Sequence, residues 1–127
     1  MMFGSEISRI EAEMRAAGWA GHTSLRQELQ IWRRLAAEVA SYAATIDDYT
    51  NDLCSRDYVA EFSVAASAEV QEYIAREVAA ADERFRASTM PDIEGLIGEY
   101  FRIDTRDGWW WRRRPVDGPL AHYLTED

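Results

Sequence analysis

The amino-acid sequence predicts a mainly α fold, a bundle of three or four helices with a C-terminal β-hairpin. Apolar residues recur in steps of three and four, as on one face of a helix, from residue 7 to residue 85. After Pro91 this period is lost, and two short apolar segments flank Asp107-Gly108, a pair typical of hairpin turns. The chain of 127 residues fits one domain, with residues 1–90 as the bundle and residues 91–127 packed on it.

The first predicted helix runs from Ser5 to Ala17. Ser5 is a suitable N-cap, and Glu6 lies in the first turn, where the helix macrodipole favours a carboxylate. Gly18 ends the helix. Its apolar stripe consists of Ile7, Ile10, Met14 and Ala17.

The second predicted helix carries the strongest pattern in the chain. Ser24 and Gln27 have the spacing of a capping box at its start. Apolar residues then form a heptad-like seam. This seam is made of Leu25, Leu29, Trp32, Ala36, Val39, Ala43, Ile46, Thr50 and Leu53. A seam of this length predicts one long helix at the centre of the bundle or, as an alternative, the contact face of a homodimer.

We place the end of this long helix at residues 51–55. Asn51 can adopt the left-handed conformation that ends many helices. Asp47 and Asp48 precede it, although carboxylates at a helix C-terminus oppose the macrodipole. Ser55 has the character of a new N-cap, so a short third helix should follow.

A fourth helix is predicted from Ser67 to a point before Ser88. Ser67 is its N-cap, and Glu69 lies in its first turn. Val70, Ile74, Val78, Ala81 and Phe85 form its apolar stripe.

The predicted hairpin contains a run of three tryptophans and three arginines, residues 109–114. We expect residues 100–104 and 109–113 to be its two strands. Side chains alternate between the faces of a strand, so one tryptophan face would cover the helices and the other would remain exposed. Tryptophan and arginine are enriched at interaction hot spots. The residues predicted to bind a partner are Trp110, Arg112, Arg114 and Arg102.

The charge of the chain restricts its chemistry and its partners. All fourteen basic residues are arginines, which excludes lysine Schiff bases, pyridoxal-phosphate enzymes and phosphate-loop lysines. The net charge is −9, and residues 99–114, with five arginines and three acids, are the net-positive segment. An acidic surface favours a basic protein partner and disfavours anionic membranes and nucleic acid. Among the possible partners of the Trp-Arg run, we therefore rank nucleic acid last.

The location and activity are predicted from what the sequence lacks. No apolar run approaches the ~20 residues of a membrane span. The N-terminal region lacks the pattern of a signal peptide, and Cys54 is the single cysteine. We therefore expect a cytoplasmic protein-interaction domain without a cofactor, of the kind found in bacterial regulators, antitoxins or immunity proteins. His22 and His122 have no metal-binding spacing, and no catalytic residue is predicted.

The alternative is a metal-dependent hydrolase of a nucleotide or phosphorylated substrate. Asp48 and Asp52 lie one helical turn apart and can face the same point. Carboxylates together with substrate phosphates are the usual ligands of Mg²⁺ in proteins. Glu69 and Glu72 of the fourth helix would complete this site.

Overall fold

The computed structural model describes residues 3–43 and 45–126. Over these residues, five α-helices enclose two apolar clusters, and one antiparallel pair of strands lies beside them. The elements are α1 Gly4–Ala16, α2 Leu25–Glu38, α3 Ile46–Ala65, α4 Ala68–Ala87, β1 Thr89–Pro91, β2 Arg113–Pro115 and α5 Gly118–Thr125. The predicted class, a helical bundle with a two-stranded antiparallel pairing towards the C-terminus, is confirmed.

The long seam of the sequence is divided between two helices. Residues Val39–Ser41 form a 3-10 turn after α2, and α3 begins after Thr45. The Thr45 hydroxyl accepts a hydrogen bond from the Asp48 N–H at 3.1 Å, and the Asp48 carboxylate accepts one from the Thr45 N–H at 3.3 Å. This capping box starts a new helix, so the predicted continuous helix up to residues 51–55 was wrong. Asp47 and Asp48 lie in a first turn, where the macrodipole stabilises them.

The third helix is long, because no break occurs at Ser55. The Ser55 hydroxyl donates a hydrogen bond of 3.1 Å to Glu28 of α2 instead of capping a helix. The predicted N-caps of α2 and α4 are confirmed, since the Ser24 and Ser67 hydroxyls accept the N–H groups of Gln27 and Val70. At α1 the N-cap is Phe3 rather than Ser5.

Helix α2 packs against both α3 and α4, and its seam is covered within one chain. Trp32 and Val39 are completely buried, and Leu29 is 4% exposed. The apolar spacing of the seam continues from α2 into α3 because both helices contribute residues to the same apolar cluster. The predicted homodimer face on α2 is therefore not exposed.

The strand pair is formed by segments other than the predicted ones. Thr89 pairs with Pro115, Met90 with Arg114 and Pro91 with Arg113. The predicted strands at residues 100–104 and 109–113 were wrong, because residues 109–112 form a 3-10 turn and residues 100–104 are not a strand.

Gly108 marks the entrance to that 3-10 turn. A Cβ atom at Gly108 would overlap the ring of Trp110, so only glycine permits this close approach. The turn directs Trp110 and Trp111 to the interior together, which the alternation of a strand does not allow. In the described part of the chain, no helix combines the length and the apolar content that crossing a membrane requires.

Candidate interaction surface

The Trp-Arg run is fixed to α3 by the carboxylate of Asp57. The indole N–H groups of Trp110 and Trp111 both donate to Asp57 Oδ1, at 2.9 and 2.7 Å. Arg106 donates to Asp57 Oδ2 at 2.9 Å. The burial of these indoles without a polar partner would be costly, and Asp57 supplies it.

A second carboxylate, Asp82 of α4, organises the other side of the run. It accepts the indole N–H of Trp32 at 2.9 Å and binds Arg56 through two hydrogen bonds of 3.0 and 3.1 Å. The Arg56 guanidinium in turn lies 4.5 Å from the ring centroid of Trp110, in a cation–π contact. Helices α2, α3 and α4 are thereby joined to residue 110 through one polar chain.

Arg114 is also directed inwards. It is 7% exposed, and its Nε lies 3.7 Å from Asp92, whose side chain is 1% exposed. Trp110 is 5% exposed. The exposure that the sequence predicted for Trp110 and Arg114 was therefore wrong, because the 3-10 turn and the strand pairing replace the expected alternation.

Arg102 and Arg112 are exposed, as predicted. Arg112 donates to the main-chain oxygens of Ile103 and Arg106, at 3.0 and 3.1 Å, and so braces the loop before the run. Both arginines line a shallow hollow together with the acids Glu94, Glu99 and Asp104. A partner contact through Arg102 and Arg112 stays a prediction.

The carboxylates proposed for Mg²⁺ do not converge. Asp48 belongs to the capping box, Asp52 accepts the Tyr42 hydroxyl at 3.0 Å, and Glu72 binds Arg76 at 3.1 Å. Glu69 follows the far end of α3, which a rise of 1.5 Å per residue places roughly 20 Å along the helix from Asp52. In residues 3–43 and 45–126, no three His, Cys, Asp or Glu side chains are grouped to hold a metal ion.

The surroundings of Cys54 do not favour a reactive thiolate. Cys54 is half-buried, and burial raises the pKa of its thiol. A cysteine nucleophile needs the opposite shift. His22 and His122 are both exposed and are far apart in the sequence.

A groove of about 690 Å³ runs between α3 and α4. Most of its wall residues are small or apolar, although Gln71 and Glu83 also line it. Trp110, Arg56 and Arg86 lie at one end beside Asp82. The small and aliphatic wall residues are Val59, Ala60, Val64, Ile74, Ala75, Val78 and Ala79. We call this the α3–α4 groove.

Val64 forms the ridge of the α3–α4 groove. It is 83% exposed and is the penultimate residue of α3, whereas Val59, the other valine of this helix, is completely buried. On its other side is a second hollow, of about 370 Å³, which reaches Trp19 and the loop at Arg106. The position of the exposed Val64 between two concave surfaces makes this region the candidate interaction site.

This surface was not predicted from the sequence. Val64 follows the buried Phe62 by two residues and lies outside the apolar stripe of its helix. An apolar residue outside the stripe is the one local pattern that could have indicated this surface. Helix α4 forms the opposite wall, and the packing of α4 against α3 cannot be predicted from a local sequence pattern. Trp110, which the sequence predicted to bind a partner from an exposed strand face, lies at the end of the groove instead.

Comparison with protein-family models, curated proteins and solved structures found no match for this chain. Its function therefore has to be inferred from the arrangement of its own residues.

Proposed function

We propose that this chain is a protein-interaction domain that binds a helix of a partner protein in the α3–α4 groove. The observation that carries the proposal is the 83% exposed Val64 beside a groove with apolar walls. A groove between two packed helices has the shape that receives a third helix, as in the helix-in-groove mode of recognition.

The small side chains of the walls support a close helix contact. Ala60 comes from α3, and Ala75 and Ala79 come from α4. Helices whose contact residues are small approach to the lower end of the usual 8–10 Å axial distance. Val59, Ile74 and Val78 also line the groove but are buried, so the partner helix would contact mainly Val64, Ala75 and Ala79.

The end of the groove offers polar and aromatic contacts. Arg56 covers Trp110, and Arg86 lies 4.0 Å from the ring centroid of Trp109. Arg56 already binds Asp82, so this end is preorganised before a partner arrives. Arg86, whose side chain is 45% exposed, is the residue of this group that a partner can contact, and arginine is enriched at interaction hot spots.

The charge of the chain favours a basic partner. The net charge is −9, and Arg106, Arg113 and Arg114 of the positive segment are engaged in contacts within the chain. Opposite net charge accelerates association and disfavours other acidic proteins. This fits the cytoplasmic regulator, antitoxin or immunity-type protein that the sequence suggests.

Affinity capture from the native host, followed by mass spectrometry, tests the proposal. Val64→Glu places a charge on the ridge, whereas the matched control Val116→Glu changes another exposed valine outside the groove. The wild type and Val116→Glu should retain the same partner, and Val64→Glu should lose at least about tenfold in affinity on reconstitution. Equal retention by all three proteins would contradict the proposal.

A further inference from the structure

We infer that a second surface, beside the start of α3, binds an arginine- or lysine-bearing segment of a protein partner. The surface consists of Tyr100, Tyr123 and the hollow next to them, and we call it the tyrosine patch. Tyr100 is 46% exposed and Tyr123 is 50% exposed, with ring centroids 5.8 Å apart. Half-exposed tyrosines offer a large contact area and a polar edge at a small entropic cost.

The hollow beside Tyr123 has apolar walls. It encloses about 420 Å³ between the start of α3 and α5. Ala43, Ile46, Pro119 and Leu120 line it. A hollow of this size and lining has room for an aliphatic side chain of the bound segment.

The charge at the tyrosine patch determines which segment fits. Asp47 is the single charged residue among the described residues that line the hollow, and Glu99 precedes Tyr100 in the chain. Arg102 lies on the other side of Tyr100, in the hollow that Glu99 and Asp104 also line. A guanidinium or ammonium group above a tyrosine ring and beside a carboxylate gains from both interactions.

Charge also argues against the other occupants. A second copy of the chain carries the same net charge of −9, so repulsion between the two copies disfavours its approach to Asp47. Nucleic acid would meet the same repulsion. An extended basic segment with an aliphatic residue next to its arginine matches both the patch and the hollow.

The tyrosine patch is separate from the α3–α4 groove. Ile46 begins α3, whereas the groove begins at Arg56, ten residues later, which corresponds to roughly 15 Å along the helix. The inference therefore holds whether or not the groove binds a helix.

An NMR titration of the intact ¹⁵N-labelled chain tests the inference. The probe is a peptide of about twelve residues built from arginine, leucine and serine, and the matched peptide has glutamate in place of arginine. The arginine peptide should shift the amide signals of Ile46, Asp47, Tyr100 and Tyr123, and the glutamate peptide should shift none of them.

Two substitutions and one control define the site. Asp47→Asn should weaken binding of the arginine peptide about fivefold, and Tyr123→Ala about tenfold. Glu69→Gln removes an exposed carboxylate at the start of another helix, α4, and should leave the affinity unchanged. Asp47→Asn keeps a side chain tolerated in a first turn, so it reports on binding even if Tyr123→Ala lowers stability.

Several results would overturn the inference. One is that Asp47→Asn and Glu69→Gln weaken binding equally, since this would show attraction to the whole acidic surface. Another is that a single-stranded oligonucleotide shifts the same amides, or that sedimentation shows a dimer that Tyr123→Ala abolishes. Val64→Glu should not affect the peptide titration, so failure of the groove proposal and failure of this inference are distinguishable.

Discussion

Asp57 Oδ1 lies 2.7 Å from Nε1 of Trp111 and accepts its hydrogen. The same oxygen accepts the indole N–H of Trp110. Asp57 and the tryptophans are more than fifty residues apart in the chain, so this contact closes the C-terminal segment onto α3. The conspicuous aromatic run is therefore primarily a structural anchor, and the surface available for partners lies around it.

Replacing Asp57 by alanine should destabilise the fold. It leaves two buried indole N–H groups without an acceptor, at about 1–3 kcal/mol each, so we expect a loss of about 3 kcal/mol in the free energy of unfolding. Asp57→Asn keeps an acceptor oxygen and should cost less. Urea unfolding monitored by circular dichroism measures both, with the exposed Asp107→Ala as the control. A change below about 0.5 kcal/mol for Asp57→Ala, as is usual for surface sites, would contradict the anchoring role.

The ion pair between Arg56 and Asp82 should matter far more than the pair between Arg76 and Glu72. The side chains of the first pair are 11% and 13% exposed, and those of the second are 65% and 72% exposed. Removing one partner of a buried pair costs about 3–5 kcal/mol, whereas exposed pairs contribute about 0–1 kcal/mol.

Urea unfolding of two variants tests this difference. Asp82→Ala removes the buried carboxylate and also the acceptor of the Trp32 N–H, whereas Glu72→Ala removes only an exposed carboxylate. Similar changes in the free energy of unfolding for both variants would show that Asp82 is not the organising residue that its contacts indicate.

The helix starts show what could be predicted from sequence. Ser24 and Ser67 have local capping chemistry, and both N-caps are confirmed. The capping box of Thr45 and Asp48 has equally local chemistry, but the apolar seam continued through it and favoured a single helix. The period of the apolar residues shows which residues face the protein interior. Two consecutive helices that bury matching faces give the same apolar period as one long helix.

The strand pair and the candidate groove depend on distant residues. Thr89 and Pro115 pair across an intervening segment of more than twenty residues, for which a turn motif such as Asp107-Gly108 gives no information. The sequence shows a tryptophan at position 110, but the direction of its side chain depends on contacts with Asp57 and Arg56. The chemical character of each side chain is known from the sequence, whereas its exposure depends on residues that are distant in the chain and adjacent in the fold.

Gly108→Ala should destabilise the C-terminal segment. Its new Cβ would overlap the Trp110 ring, whose position is fixed by Asp57, so relief requires a shift of the anchor. Overpacking of this kind costs about 1–3 kcal/mol. Gly21→Ala is the matched control, since a Cβ there has no neighbour within 4 Å. Thermal melting of both variants provides the measurement, and a melting temperature of Gly108→Ala equal to that of the control would refute the packing argument.

The stability of the fold should respond to pH through Glu28. This residue is 6% exposed, and burial raises the pKa of its carboxyl group, partly offset by the hydrogen bond from Ser55 and by His22. Because the folded state holds the proton more tightly, the contribution of Glu28 to stability is lost as the pH rises from its ordinary pKa of 4.5 through the raised one.

Glu28→Gln removes this titration and keeps an oxygen that can accept the Ser55 hydroxyl. The free energy of unfolding of Glu28→Gln, minus that of the wild type, should therefore increase with pH above 4.5 and then level off. Ser55→Ala removes a hydrogen bond that lowers the pKa of Glu28, so it should enlarge the pH dependence of the wild type. In the Glu28→Gln background, the same serine substitution should leave the pH dependence unchanged, because the titrating group is gone. Urea unfolding of the four proteins over this pH range tests the argument, and a difference that stays constant with pH would show that the carboxyl group is not stressed by its burial.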